Sequence, residues 1–207
     1  MQQKSRLFNR KTILAISPAV VLLLVELFQW DIIDWVTPFL LSPLRFSLWL
    51  LVGVAVIRSL VAAYRSRREG PSVLLVPIFL VAAVLAAWFT PFTDLWLRAN
   101  FELKKTARER VVIQVVRGEL VANVSHNSSL IALSGGAGVS KGGDEILVQG
   151  PPREAYVFFY TYRGILGSYS GFLWVPTGGK PELFSDVGET GTQIESFGGN
   201  WYFVGHR

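Results

Sequence analysis

The chain carries two histidines, His126 in "VSHNSS" and His206 beside the C-terminus, and no cysteine. A serine nucleophile needs a base and an orienting acid. Ser125, Ser128 and Ser129 lie next to His126, but in a polar turn without the strand-to-helix context of a nucleophile elbow. A zinc site needs several converging His, Cys or acidic ligands, and neither an HExxH helix nor such a cluster occurs in the sequence. The glycine-rich "GGAGVSKGG" resembles a phosphate cradle only in composition. Lys141 follows Ser140 and precedes Gly142, the reverse of the order a P-loop requires, so the segment reads as a flexible hairpin connection. The acidic pairs Asp144 with Glu145 and Asp186 with Glu189 fall in Gly-rich loops and read as solvated. These residues point away from an enzyme and imply no metal and no cofactor.

Two constellations remain. Glu26 lies inside a long apolar run, where carboxylates can mark ion paths. It falls about one turn from the end of that run and reads as reaching the headgroups. Pairing with Arg58 is disfavoured, because helix rise separates their depths by about 12 Å. The second constellation is "AYVFFYTYRGILGSYSGFLWVP". With "GILG" as the loop, Tyr162 falls opposite Tyr169, Tyr160 opposite Gly171, Phe159 opposite Phe172 and Val157 opposite Trp174. One face then carries Tyr156, Phe158, Tyr160, Tyr162 and Tyr169, with a tyrosine ring lying over the bare Gly171 backbone. The hairpin is expected to be central to a core. Its Tyr162, Arg163 and Tyr169 end has the composition favoured where proteins bind proteins.

The elements that carry these residues divide the chain in two. Residues 1–99 hold ten Lys and Arg against five acids, which accounts for the whole formal charge of +5, whereas residues 100–207 hold ten of each. Mean hydropathy is +0.39, high for a soluble domain. The basic excess flanks apolar spans and does not form a patch on a folded face, so the high pI does not imply nucleic acid. Three transmembrane helices are predicted, at about 12–30, 43–64 and 70–93. Pro18, Pro77 and Pro91 fall where kinks or boundaries are tolerated.

"AYRSRREG" brings Arg65, Arg67 and Arg68 together after the second span. With Lys4, Arg6, Arg10 and Lys11 before the first span, and no base in "DIIDWVTPFLLSP" after it, the positive-inside rule makes these arginines topology determinants. The basic tail 1–11 and the arginine loop are expected in the cytoplasm and residues 94–207 on the opposite side. Trp30, Trp35, Trp49, Trp88 and Trp96 all fall at the expected outer boundary. No small-x-small cleavage site follows the first span, so it reads as an uncleaved anchor. Small residues four apart, Ala55, Ser59 and Ala63 in the second span and Ala82 with Ala86 in the third, offer close helix packing.

Beyond the membrane segments, a helical stalk or first domain helix is expected over 94–110. Strands then follow in "VVIQVVRG", "ELVANVS", "SLIALS", "EILVQG", "AYVFFYTYRG", "GSYSGFLWVP" and "NWYFVGHR". The fold class expected is three transmembrane α-helices followed by a small, mostly antiparallel all-β domain, sandwich or barrel-like. Asn123 and Asn127 match the N-glycosylation pattern.

The functional expectation is an integral protein, of a bacterial inner membrane, that presents a non-enzymatic binding domain outside the cytoplasm. Its partners would be membrane lipid and a protein on the exported side: an incoming toxin neutralised as by an immunity protein, or an envelope component. The alternatives are an accessory subunit of a membrane complex or homo-oligomer, which would use Ala55, Ser59 and Ala82 at its interface, and a transporter component dependent on Glu26.

Overall fold

The computed structural model describes residues 10–33, 35–36, 38–125, 127–134, 138–164, 169–184 and 192–205. The chain forms two compact units, Met1–Trp96 and Leu97–Arg207.

The first unit contains α1 (Arg10–Ile32), α2 (Pro38–Arg65) and α3 (Leu75–Phe89). Within them Thr12–Ile32, Phe39–Arg65 and Pro71–Phe89 are long and apolar enough to cross a membrane. The second span begins earlier than expected, because Pro38 opens the helix and Pro43 lies in its second turn, where few backbone bonds are lost. Pro18 is accommodated inside α1, and Phe28 leaves helical geometry at φ −104°, ψ 16°. The seam is dry and close-packed: Ala19, Leu22 and Val25 of α1 meet Leu41, Leu48 and Val52 of α2 and Leu80 and Ala83 of α3. Among lipid tails such packing, and not the expulsion of water, holds helices together.

The second unit combines the rest of α4 (Phe92–Val116) with one six-stranded antiparallel sheet. Its strands are β1 (Leu130–Ala132), β2 (Glu145–Gln149), β3 (Tyr156–Arg163), β4 (Tyr169–Trp174), β5 (Gln193–Gly198) and β6 (Trp201–Gly205), in the order β1-β2-β3-β4-β6-β5. The sheet stays open and forms no closed barrel. On one face Phe101 of α4 lies against Phe172, Phe197 and Trp201, with ring centroids 5.1–5.6 Å apart. On the other, Phe158, Tyr160, Leu173, Val175 and Val204 form a cluster with Leu130 and with Phe184, whose ring stacks on Phe158 at 5.6 Å. Both faces are covered, which explains why β3 and β4 read as nearly continuous apolar runs.

Two expected strands are not strands. "VVIQVVRG" is the C-terminal part of α4, whose Val111, Val112 and Val115 are buried. The β-branched penalty in a helix is a few tenths of a kcal/mol per residue, and burial of each valine is worth about 1.5 kcal/mol or more, so packing wins. The helix stops in a Schellman motif: Gly118, at φ +72°, donates to the Val115 carbonyl, and Glu119 donates to that of Gln114. The expected stalk over 94–110 is therefore the first part of a longer helix whose Leu97, Phe101 and Arg108 are buried. "ELVANVS" forms no strand. Asn123 stands in for one, its side-chain amide exchanging two hydrogen bonds with the Ala132 backbone at 2.7 and 2.9 Å and so covering the outer edge of β1. β5 is a strand that the Gly-rich sequence around it concealed.

Candidate functional site

The β3–β4 hairpin has the expected register from Val157↔Trp174 to Tyr160↔Gly171, then slips. A bulge at Thr161 puts Tyr162 opposite Ser170 and Arg163 opposite Tyr169, in place of the expected Tyr162–Tyr169 pair. The extra residue reverses the alternation. Arg163 joins the tyrosine face, its guanidinium 5.2 Å from the Tyr160 ring centroid, and Tyr162 leaves it. The ring over Gly171 also differs from expectation: a Cβ there would come within 2.7 Å of the Phe158 ring, the diagonal neighbour, and would run into the Phe159 carbonyl.

At the end of the hairpin Arg163 is exposed, and its Nη1 donates to Glu145 at 2.6 Å. Tyr169 is half-buried and meets the Phe158 and Tyr160 rings edge to face, at 5.4 and 6.1 Å. Tyr160 is buried and Tyr162 half-buried. The tyrosine face is thus core along most of its length and surface at its tip. Thr161 and Ser170, both buried, share a hydrogen bond at 3.1 Å beneath the bulge.

The neighbouring loop, expected to be flexible, is pinned over its described part, 138–144. Asp144, at φ 56°, accepts hydrogen bonds from the backbone amides of Gly138 and Ser140 at 2.8 and 3.2 Å. The Ser140 hydroxyl donates to the Glu145 carbonyl at 2.5 Å and accepts from the Tyr160 amide at 2.9 Å, while the Lys141 amide donates to the Tyr160 carbonyl at 2.8 Å. Gly142, at φ +80°, passes the Arg163 side chain so closely that a Cβ would lie 3.2 Å from its Cδ. Asp144 and Glu145, expected to be solvated, are instead both engaged in holding this corner.

Behind the loop lies Arg108, only 1% exposed. Its Nε donates to the Val139 carbonyl at 3.1 Å; Nη1 and Nη2 donate to the Asn100 carbonyl and Oδ1 at 3.3 and 2.6 Å. Its guanidinium lies 4.6 Å from the Phe172 ring centroid. Loss of hydration on burial lowers its pKa to about 10, so it stays charged at neutral pH. The sequence concealed this residue inside "LKKTARER", a segment whose mixed charges suit water.

In the first unit, Glu26 does not reach outward. It is 4% exposed and accepts from Arg45 through both oxygens, at 3.1 Å from Nε and 2.7 Å from Nη2. Arg45 also donates to Gln29 Oε1 at 3.4 Å, and Gln29 donates to the Thr93 hydroxyl at 3.0 Å. Beside this group is a small cavity of about 210 Å³, lined also by Thr90 and Asp94. The level is that of the tryptophans, with Trp49 and Trp88 in edge contact at 6.1 Å and Trp96 Nε1 donating to Asp31 at 2.8 Å. The missed partner was legible: Glu26 and Arg45 lie at equal distances on either side of the turn between α1 and α2, so a helical hairpin sets them at one depth.

No protein-family model, curated protein or solved structure matches the chain.

The remaining expected site residues are distributed as follows. Arg65 ends α2, and Arg67 and Arg68 form the short 3₁₀ turn after it, with the Arg67 guanidinium 4.9 Å from the Tyr64 ring centroid. Ala55 and Ser59 line a groove of about 590 Å³, and Ala55 also packs against the buried seam. In the third span it is Ala83, 5% exposed, that enters the seam, whereas Ala82 is exposed. His126, His206, Asp186 and Glu189 lie outside the described residues, as does most of the "GILG" loop. Among the described residues no group of three or more His, Asp or Glu is placed to hold a metal. Asn127 closes an Asx turn on the Ser129 amide at 2.8 Å, so the amides of both glycosylation-pattern asparagines serve the local fold.

Proposed function

We propose that this is an integral membrane protein whose sheet domain binds a protein partner outside the cytoplasm through the tip of the β3–β4 hairpin, where Arg163 and Tyr169 share one face and Tyr162 lies on the other. The observation that carries the proposal is a preorganised arginine–tyrosine tip on a rigid strand. Arg163 is exposed, yet oriented by Glu145 and by the Tyr160 ring, and the adjoining loop is locked to the same strand. Tyrosine and arginine carry much of the binding energy at protein interfaces, and orienting them beforehand lowers the entropy lost on association. The three helices would supply localisation and a raised local concentration. The arginines after the second span support a cytoplasmic N-terminus and an exported domain, in a bacterial inner membrane. Partners that fit are an incoming toxin, which the domain would neutralise by occupying it, or an envelope protein with an acidic and aromatic surface. Binding alone suffices for either role and no catalysis is required.

The bidentate Glu26–Arg45 pair supports a structural role for Glu26 over an ion path, because the carboxylate is already neutralised by a partner.

The test places the photocrosslinker p-benzoylphenylalanine at Tyr162 or, as a control, at Gln193 on the edge strand β5, in the full chain in its native membrane. A discrete adduct from position 162, absent from position 193 and lost when Arg163→Ala is added, is expected. Identical patterns from both positions, or an adduct indifferent to Arg163→Ala, would remove the corner from the proposal.

A further inference from the structure

The bundle of the first unit is not equally tight along its length. Its buried seam runs over Ala19–Val25, Leu41–Val52 and Leu80–Ala83. Towards the arginine-rich end the helices part, and a groove of about 590 Å³ opens among α1, α2 and the start of α3. Its volume lies within the range of about 300–1,000 Å³ usual for small-molecule sites. The walls are apolar at one end, where Leu51, Val54 and Ala55 contribute, and polar at the other, where Arg58, Thr12 and Ser66 contribute. From Leu51 to Ser66 is about 22 Å by helix rise, enough for one leaflet's acyl chain together with its headgroup.

Arg58 decides the occupant. It lies about two helical turns before Arg65, is exposed, and forms no ion pair among the described residues. A guanidinium at that depth extends towards the headgroups, and it is costly unless it meets an anion. The chain's own N-terminal segment is basic, with Lys4, Arg6, Arg10 and Lys11, and a second copy would bring the same arginines. Both are mismatched in charge with this groove. An anionic glycerophospholipid matches it at both ends.

We infer that the groove binds one anionic phospholipid from the leaflet at the arginine-rich end. The phosphate sits between Arg58 and the Thr12 hydroxyl, the rest of the headgroup extends towards Ser66, and an acyl chain lies along Leu51, Val54 and Ala55. The lipid fills the space between parted helices, so the anchor is complete only in a membrane that supplies it. The inference is independent of the partner-binding corner and requires only that the three helices lie in a bilayer.

The experiment uses the full chain in nanodiscs containing equal phosphatidylglycerol and phosphatidylcholine, released into a native mass spectrometer that reports retained lipid and oligomeric state. Wild type should retain phosphatidylglycerol in preference. Arg58→Gln should cut that preference about fivefold, the ~1 kcal/mol expected for one basic residue near anionic lipid. Arg68→Gln, at an exposed arginine outside the groove, should change it little. Ala55→Phe should displace bound lipid with every charge intact, and millimolar inorganic phosphate should not compete. No preference in wild type, equal losses in Arg58→Gln and Arg68→Gln, competition by phosphate alone, or variants that change dimer content instead of retained lipid would each overturn the inference.

Discussion

Arg108→Met tests the reasoning about the corner at its base. Burial strips this guanidinium of hydration and lowers its pKa to about 10. Net of that cost, two long charge-assisted hydrogen bonds contribute ~1 kcal/mol each and the 2.6 Å bond to Asn100 ~1.5 kcal/mol, with ~0.5–1 kcal/mol from the Phe172 ring. Methionine keeps much of the volume and removes both sides of that balance, so the net loss expected is ~4 kcal/mol. The Val139 and Asn100 carbonyls lose their donor, and the loop held through Val139 and Ser140 should detach from β3. Hydrogen exchange on the full chain in nanodiscs reads this directly at the Lys141 and Tyr160 amides. These should exchange about a thousandfold faster, unless opening of the whole domain sets a lower ceiling. Arg108→Lys, which retains the charge without the planar fork, should fall between. A lowered pKa on a base means that the folded state sheds its proton first. The charge penalty is then constant below about pH 10 and is relieved only as pH rises beyond it, so the stability gap between wild type and Arg108→Met should be flat through neutral pH. Protection within tenfold of wild type in Arg108→Met would refute the claim that this residue holds the corner.

In the helical unit, Glu26→Met leaves Arg45 beside a buried site without its carboxylate. Since the Arg45 side chain is 41% exposed, the cost should be ~1–3 kcal/mol, below that of a fully buried pair. Adding Arg45→Leu should restore most of it, and equal thermal stability of the single and double variants in detergent would show that the two are not coupled. Gly171→Ala drives a methyl into the Phe159 carbonyl and the Phe158 ring, and should lower the unfolding free energy by ~3 kcal/mol, with a lower midpoint, or prevent accumulation of folded protein. A wild-type midpoint would contradict the described packing. The absence of native cysteine makes topology testable with single substitutions at exposed positions. Lys180→Cys should react with an impermeant maleimide in intact cells and Ser72→Cys only after permeabilisation, and the opposite pattern would invert the orientation proposed.

The sequence by itself determined the elements whose signal is local. Charge-free or nearly charge-free runs longer than a bilayer is thick specify membrane helices whatever their neighbours. The strongly apolar strands β2, β3, β4 and β6 were legible for the same reason, as was the hairpin register up to Gly171. Local signal failed where a distant surface decided the outcome. Val111–Val116 has β-branched composition and becomes helix because a sheet face lies ready to bury it. β5 is a strand because β6 pairs with it, and a one-residue bulge, invisible to any two-residue period, exchanges Arg163 for Tyr162 on the tyrosine face. The charged residues show the same division most clearly. Sequence assigned Glu26 to the headgroups and the segment holding Arg108 to water, because a charge read alone is best solvated. Tertiary structure buries Glu26 and Arg108 by supplying groups that replace that water, the Arg45 guanidinium 19 residues from Glu26 and the Val139 carbonyl 31 residues from Arg108, which joins the nearby Asn100.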